Sequence, residues 1–262
     1  MVSIRSHLTF TAIAVLLASF EVSSAQLAPS RLFDNNTPKA AEPAPKALSP
    51  EERGDILMAR KMYRDAVDAY REGPDASALL HNKTGIAFHQ LQKLPLAKKE
   101  YERAVKLSPE YSEAINNLGT IYYAQKSFRR AIRYYQRAIK IAPASASVYS
   151  NLGTAYFARK NYKDATLNYQ QALALDPEVF EHHNSFGTLL QERTVADRAK
   201  FHYYMAKTYA HAGMHDRAML YIRKALEEGF VDRKKFMEDS EFSDMRANPE
   251  FQQLIASEPR VL

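Results

Sequence analysis

Apolar residues recur at helical spacing along most of the chain after residue 50. In segment 112–145 the pattern contains two apolar stripes, Ile115-Leu118-Tyr122 and Ala131-Tyr135-Ala138. Residues three or four apart lie on the same face of an α-helix, so each stripe predicts one amphipathic helix. Ser49-Pro50-Glu51-Glu52 has the form of a capping box and predicts the start of the first helix.

The pattern repeats with a fixed period. Four of the eight glycines follow one another at one constant interval: Gly85, Gly119, Gly153 and Gly187. The same interval separates Pro109, Pro143 and Pro177, Ala97, Ala131 and Ala165, Ala104, Ala138 and Ala172, and Tyr101, Tyr135 and Tyr169. A constant interval of this size predicts a solenoid of stacked units. Gly and Ala are expected where the two helices of a hairpin approach closely, and Pro where the second helix ends.

At these positions the chain resembles the tetratricopeptide repeat (TPR) family. Unit 112–145 matches the repeat at nearly every signature position, unit 146–179 matches it again, and unit 78–111 matches more loosely. An earlier unit at 50–77 is shortened by three residues. The resemblance implies an all-α solenoid of helical hairpins over residues 50–229.

Beyond Gly187 the register is ambiguous. Helices are predicted near 178–192, 196–211 and 215–228 in an atypical unit at 180–229, but two pairings of these helices fit the pattern. The middle helix is either the second helix of the Gly187 unit or the first helix of a shifted unit. Residues 230–262 lack the repeat and predict short helices that cap the solenoid with apolar residues: Phe236, Phe242, Met245, Phe251 and Leu254.

The N-terminal 25 residues have the pattern of a secretory signal peptide. Arg5 and His7 precede an uncharged run of 13 residues, Leu8 to Phe20, and small residues come before Gln26. This predicts an exported protein, periplasmic or secreted, cleaved before Gln26. The alternative is a retained anchor, although a spanning helix needs about 20 apolar residues. Residues 26–49 are rich in Pro and Ala and predict a flexible linker.

The chain contains no cysteine. This excludes a disulfide framework, a thiolate zinc site, a cysteine nucleophile and a lipid-modified N-terminal cysteine. The histidines His182, His183, His202, His211 and His215 are close in sequence and suggest a metal-dependent enzyme only weakly. Gly213 lies between His211 and His215 at a predicted turn, so the two are not expected to share a helix face. No catalytic motif occurs, and neither catalytic residues nor a metal or cofactor is predicted.

The resemblance implies a partner site on the concave face, which the first helix of each hairpin lines. The residues at the matching positions of this chain are Asn82, Asn116, Asn117, Thr120, Tyr123, Ser150, Asn151, Thr154, Phe157, Asn184 and Thr188. The groove is thus predicted to be neutral and rich in amides, which hydrogen-bond an extended peptide, with Tyr123 and Phe157 holding its side chains. Alternatively, these small polar residues are only the consensus of the family. The family's clamp for a C-terminal carboxylate is incomplete here, because Glu181 and Ser185 stand where cations are needed.

A second candidate surface is basic. No acidic residue lies between Glu113 and Asp164, and one predicted second helix carries five cations on its outer side: Arg129, Arg130, Arg133, Arg137 and Lys140. Such a stripe can attach to an anionic cell-envelope surface, although it is equally consistent with an ordinary solvated face. Nucleic acid is not expected as a partner of an exported chain.

These observations predict a non-catalytic module for protein–protein interaction, an adaptor or scaffold whose groove holds an extended peptide or protein partner. The alternative function is electrostatic attachment to an anionic envelope surface. A histidine–metal enzyme is the third and weakest hypothesis.

Overall fold

The structure is a computed structural model that describes residues 47–181 and 194–257. All regular elements in this part of the chain are helical. The helices are α1 (Pro50–Ala59), α2 (Tyr63–Arg71), α3 (Ala78–Gln90), α4 (Leu94–Leu107), α5 (Ser112–Ala124), α6 (Phe128–Ile141), α7 (Ala146–Ala158), α8 (Tyr162–Leu175), α9 (Val195–His211), α10 (His215–Glu227), α11 (Lys234–Glu238), a 3₁₀ helix (Ser240–Met245) and α12 (Pro249–Ala256). Across these described ranges, none of the helices is long and apolar enough to cross a membrane.

The helices form consecutive antiparallel hairpins. The pairs are α1/α2, α3/α4, α5/α6, α7/α8 and α9/α10, and the second helix of each hairpin packs on the first helix of the next. The all-α helical-hairpin solenoid predicted from the sequence is therefore confirmed. First helices line one face of the stack and second helices line the other.

Helix α1 begins at the predicted capping box. The Ser49 Oγ accepts a hydrogen bond from the Glu52 backbone N–H at 3.2 Å, and the Ser49 N–H donates to the Glu52 carboxylate at 2.8 Å. Two backbone donors that a helix start leaves unpaired are thereby satisfied.

In each of the first four hairpins a tyrosine ring lies directly on a glycine of the partner helix. The pairs are Gly54–Tyr70, Gly85–Tyr101, Gly119–Tyr135 and Gly153–Tyr169. A Cβ added to any of these glycines would lie between 2.1 and 2.6 Å from the nearest ring carbon. All four tyrosines are at most 2% exposed. The periodic glycines are therefore required because a buried ring occupies the space of their missing side chain.

Helices α9 and α10 form the fifth hairpin, in the shifted one of the two registers that the sequence left open. The step along the chain from Gly153 to Ala206 equals the step from Tyr169 to Ile222, and both are longer than one repeat. The repeat therefore resumes after an insertion between the fourth and fifth hairpins. At the equivalent positions, Ala–Ile replaces Gly–Tyr, and both residues are fully buried. The smaller Ile leaves room for the Cβ of Ala206.

Only the first residues of the predicted helix at 178–192 are described. Residues 177–181 form turns, and residues 182–193, including Gly187, lie outside the described residues. Phe180 packs against rings of both neighbouring hairpins, 5.6 Å from Tyr169 and 6.1 Å from Tyr209 between ring centroids.

An aromatic cluster attaches the C-terminal cap to the fifth hairpin. Phe230 stacks on Tyr203 of α9 at 4.5 Å, and Phe236 lies 5.4 Å from the same ring. Phe242 continues the chain of contacts to Phe236 at 5.4 Å and to Phe251 at 6.2 Å. The predicted short helical cap is confirmed.

The contact between Gly119 and Tyr135 predicts a destabilising alanine substitution. Gly119→Ala places a Cβ at 2.5 Å from the Tyr135 ring. Overpacking of a buried site costs about 1–3 kcal/mol, against the roughly 1 kcal/mol that Ala gains over Gly in a helix. We expect a lower midpoint in urea unfolding. The same substitution should cost less in a Tyr135→Ile background, which imitates the Ala206–Ile222 pair, and equal costs in the two backgrounds would contradict this interpretation.

Removing a ring from the cap should open the cap before the repeats. Phe242→Ala deletes a fully buried side chain, a change that typically costs about 3–5 kcal/mol. Hydrogen exchange should then accelerate over residues 230–256, with a smaller effect on α3 to α6. Met237→Ala, at a side chain that is 45% exposed, is the matched control and should change little. Unaltered protection of the cap in the Phe242 variant would show that the cluster does not hold it.

Candidate functional site: the concave face

The concave face is formed by the first helices α1, α3, α5, α7 and α9, and the structure divides the predicted groove residues into three groups. Partly exposed residues are Asn116, Asn117, Thr120, Tyr123 and Asn151. Buried residues are Asn82, Ser150, Thr154 and Phe157. Asn184 and Thr188 lie outside the described residues. The surface open to a partner is thus smaller than the sequence predicts and is centred on α5 and α7.

Asparagine side chains link successive first helices. The Asn117 Nδ2 donates to the Asn82 Oδ1 at 2.9 Å, and the Asn151 Nδ2 donates to the Asn116 Oδ1 at 3.0 Å. Each bond joins one repeat to the next. This amide ladder fixes the register between neighbouring first helices, because a shift of one residue would break every bond in it.

The ladder is anchored at its N-terminal end. The buried Asn82 donates from its Nδ2 to the Tyr111 hydroxyl at 3.2 Å and to the Glu113 Oε1 at 3.0 Å. With its oxygen accepting from Asn117, all the polar atoms of this side chain are engaged. Asn82 is 1% exposed and therefore supports the groove without facing it.

Asn117 and Asn151 retain hydrogen-bonding capacity. Each uses one N–H in the ladder, whereas an amide offers two donors and an oxygen acceptor. Among the described residues, neither oxygen has a hydrogen-bond donor within reach. The ladder thus holds both side chains in place and leaves an acceptor and a donor on each for a partner.

The residues after the periodic glycines hold the buried tyrosines. The Tyr135 hydroxyl donates to the Thr120 Oγ1 at 3.4 Å, and the Tyr169 hydroxyl donates to the Thr154 Oγ1 at 3.3 Å. Thr154 also donates to the Ser150 carbonyl at 2.9 Å and is 3% exposed. The threonines that the sequence assigned to a peptide site are therefore bonded within their own hairpins.

The two predicted aromatics have different environments. Phe157 is 3% exposed, with its ring centroid 5.2 Å from Tyr162 and 5.4 Å from Phe201 of α9. The expectation that Phe157 holds a partner side chain does not fit this position, because helix α9 covers the ring. Tyr123 is partly exposed and lies against Phe128 at 5.2 Å.

The N-terminal end of the concave face is charged, unlike the neutral groove predicted. The Lys83 Nζ donates to Glu51 at 2.7 Å and to Asp55 at 2.6 Å. Asp55 also accepts from the Tyr70 hydroxyl at 2.7 Å. Partial burial alone would raise the pKa of Asp55, but the hydrogen bonds from Lys83 and Tyr70 outweigh it and lower that pKa. Partial burial alone would lower the pKa of Lys83, but its hydrogen bonds to Asp55 and Glu51 outweigh it and raise that pKa. This end is therefore an ionic cluster in which one lysine lies between two carboxylates.

The predicted basic stripe lies on α6, where all five cations are exposed. Two of them also have contacts within the protein. The Arg137 Nη2 donates to the Pro109 carbonyl at 2.6 Å, and the Arg130 guanidinium lies 5.8 Å above the Tyr122 ring.

A cleft of about 310 Å³ lies on the other side of the stack, beside the loop between α2 and α3. His81, which lines this cleft, is buried. The His81 Nδ1 lies 2.7 Å from a Glu100 oxygen, and its Nε2 lies 2.9 Å from the Asp75 carbonyl. Asp75 in turn pairs with Arg103. These polar groups are bonded to one another and fix the loop between α2 and α3, where the first unit is shortened by three residues.

Of the other histidines noted in the sequence, His182 and His183 lie outside the described residues. His211 ends α9 and His215 begins α10, on opposite sides of a turn at Gly213. Within residues 47–181 and 194–257, no three His, Asp or Glu side chains are grouped as metal ligands would be.

Sequence comparison identifies the central repeats. Residues 85–126 and 119–159 match the family model of the TPR repeat, and residues 146–179 match that of the tetratricopeptide repeat. Proteins with these repeats are generally non-catalytic interaction modules.

Two curated proteins are similar over short segments. RNA polymerase II-associated protein 3 of Xenopus laevis is 30% identical over 89 residues, which cover 33% of this chain and 14% of that protein. The uncharacterized protein ycf37 of Porphyra purpurea is 32% identical over 88 residues, which cover 29% of this chain and 51% of that protein. The chain thus spans less than two thirds of either relative.

Several solved structures are similar over much of the chain. A MamA structure is 20% identical and covers 73% of this chain and 93% of its own, with a TM-score of 0.47. MamA from Desulfovibrio magneticus RS-1 is 19% identical and covers 68% and 92%, also with a TM-score of 0.47. YrrB, described as a TPR protein with an unusual peptide-binding site, is 17% identical and covers 71% and 87%, with a TM-score of 0.44. The family matches show that this chain contains tetratricopeptide repeats over residues 85–179.

Proposed function

We propose that the protein is a non-catalytic scaffold whose concave face binds an extended peptide segment of a partner protein. The observation that carries the proposal is the pair Asn117 and Asn151. The amide ladder fixes both side chains, yet each retains a donor and an acceptor for another molecule. Preorganised polar groups bind a peptide with a smaller entropy cost than mobile ones.

The spacing of the repeats suits an extended peptide. Neighbouring packed helices lie about 8–10 Å apart, and an extended chain rises about 3.4 Å per residue. Asn117 and Asn151 would therefore meet backbone groups about three residues apart. Tyr123, seven residues after Asn116, lies on the same face of α5 as that residue and offers a partly exposed ring.

The place of action in this proposal is an exported compartment. The support is the signal-peptide pattern of residues 1–25, which lie outside the described part of the structure. Intact-mass measurement of the protein from its native cells should give Gln26 as the first residue. A mass that begins at Met1 or Val2 would instead favour the retained anchor.

Site-specific photo-crosslinking tests the position of the site. A photoreactive phenylalanine analogue replaces Tyr123 on the concave face or Arg133 on the exposed side of α6. We expect partner crosslinks from position 123 only, and digestion should map them to one contiguous, extended segment of the partner. Crosslinks from position 133 alone would place the interaction on the other face and refute the proposal.

Affinity measurements with the captured segment test the residues. A triple variant, Asn117→Ala with Tyr123→Ala and Asn151→Ala, should bind the synthetic segment at least about tenfold more weakly, since such central anchors each contribute a kilocalorie or more. Binding by the wild type should survive about 1 M salt, because hydrogen bonds and ring burial are little screened.

Two controls separate binding from folding and from charge. Thr154→Ala removes a hydroxyl that is 3% exposed and bonded within its own hairpin, so it should lower stability but preserve the affinity of the folded protein. Reversal of Arg129, Arg133 and Arg137 to Glu should leave affinity for the segment unchanged. If the charge reversal abolishes binding and the triple variant does not, the concave face is not the site.

A further inference from the structure

The turns that join the two helices of each hairpin all end in the same way. In every one, the residue after the first helix's C-cap has a positive φ: Lys61 (60°), Gln92 (56°), Lys126 (56°), Lys160 (61°) and Gly213 (71°). At Lys126, the backbone N–H donates to the Tyr123 carbonyl at 2.8 Å, and the next N–H donates to the Tyr122 carbonyl at 2.9 Å. This pair of bonds is a Schellman motif.

The left-handed position of this motif favours glycine. A side chain there brings its Cβ close to the following carbonyl oxygen, which is unfavourable for any residue but Gly. The fifth hairpin uses Gly213 accordingly, with nothing within 4 Å of where a Cβ would stand. Three of the other four turns place a lysine there. Strained positions are retained mainly where function requires them, so these lysines call for an explanation other than the turn itself.

Further cations surround the three lysines. Because the hairpins are stacked, these turns lie along one edge of the solenoid, about 10 Å apart. The turn ridge, as we call it, comprises the exposed cations of the turns and of the first residues of the helices that follow: Arg60, Lys61, Arg64, Lys93, Lys126, Arg129, Arg130, Arg159, Lys160 and Lys163. Asp65 and Asp164 are the acids in the first turns of α2 and α8, and Asp164 is held by Asn161 at 2.6 Å. None of the ridge cations forms an ion pair with a carboxylate in the described part of the chain.

Four acids on the opposite edge are neutralised by arginines, whereas Glu110 has no ion-pair partner among the described residues. This edge carries Glu72, Asp75, Glu178 and Glu181 in the connections between hairpins, and each is paired with an arginine: Arg53 with Glu72, Arg103 with Asp75, and Arg217 with both Glu178 and Glu181. Across the described chain, the exposed acids Glu110, Glu227, Glu238 and Asp244 form no ion pair, so a second copy is the competing occupant, and sedimentation without vesicles detects it. The counter-charge that the ridge lacks has to come from another molecule.

The geometry points to an anionic lipid bilayer as the molecule that the turn ridge binds. The cations project from turn tips along an outer edge and not from the walls of a groove. Single-stranded nucleic acids are typically bound in grooves, with aromatic side chains stacked on their bases. Most turn residues are polar; of the large apolar ones, Met62 is 44% exposed, whereas Leu91 and Met214 pack against the core. Attachment is therefore electrostatic and reversible, without insertion into the hydrocarbon.

Vesicle co-sedimentation with the full chain tests this inference. The probes are vesicles of phosphatidylglycerol with phosphatidylcholine and vesicles of phosphatidylcholine alone. The ridge variant combines Lys61→Gln, Lys126→Gln and Lys160→Gln. Gln92 shows that the same left-handed position accepts glutamine, so the fold should be unaffected. The matched control combines Lys106→Gln, Lys140→Gln and Lys234→Gln, three exposed lysines away from the ridge. Both variants lose three charges from a formal net charge of +6.

The wild type and the control should bind anionic vesicles in about 0.1 M salt and release them in about 1 M salt. Each basic residue near an anionic bilayer is worth about a fivefold change in affinity, so the ridge variant should bind about a hundredfold more weakly. The apolar run at residues 8–20 is the same in all three proteins. Binding through this run would appear equally with neutral vesicles, so the neutral vesicles measure its contribution.

Three results would overturn the inference. The wild type could ignore anionic vesicles. Both variants could lose affinity equally, in which case net charge and not the ridge decides. Finally, the wild type could bind soluble heparin through the three ridge lysines while leaving vesicles free, which would make the ridge a site for a linear polyanion.

Discussion

The architecture depends on a contact between a glycine and a tyrosine. In four hairpins the ring lies where the glycine side chain would be, so the two helices come closer than any other residue would permit. The hydroxyl of the same tyrosine then bonds the residue after the glycine in three of the four hairpins, at Asp55, Thr120 and Thr154. One residue pair therefore sets both the distance between the helices and their rotation. The fifth hairpin has Ala206 and Ile222 at these positions. Compared with Gly and Tyr, its first helix carries the larger side chain there and its second helix the smaller one.

The rotation set by this contact decides what the concave face presents. The periodic glycine turns one side of each first helix towards its own tyrosine, which leaves the residues two and three positions before it facing the next repeat. Asparagines at those positions can then bond from hairpin to hairpin, as Asn82 does with Asn117. The groove is thus a consequence of hairpin packing. Its amides are rigid because the ladder that holds them also holds the repeats in register.

The sequence predicts the repeating part of the fold well, because each repeat enforces the same packing and the glycines and alanines mark it. It predicts the candidate site less well. Phe157 occupies a groove position in its own repeat, but the insertion before the fifth hairpin brings α9 over it, and no local pattern shows that contact. Asn82 is covered by Tyr111, the last residue of its own unit, and by Glu113 of the following repeat, so its exposure depends on the neighbour and not only on its position. Gly54 carries the same contact as Gly85, yet the shortened first unit hides it from a search for the constant interval of the later glycines.

The distribution of charge follows from the same topology. Stacked hairpins have two edges, and a residue type placed at one turn in every repeat becomes a row. In the connections between hairpins, acids such as Glu178 form ion pairs with arginines of neighbouring helices, such as Arg217. These ion pairs join one repeat to the next. In the turns within hairpins the lysines have no such neighbour, because the helices on either side end there. Their charge contributes little to stability and is exposed to solvent. A solenoid of this kind can therefore carry two independent surfaces: a concave face whose polar groups are ordered by packing, and an edge whose cations are left to other molecules.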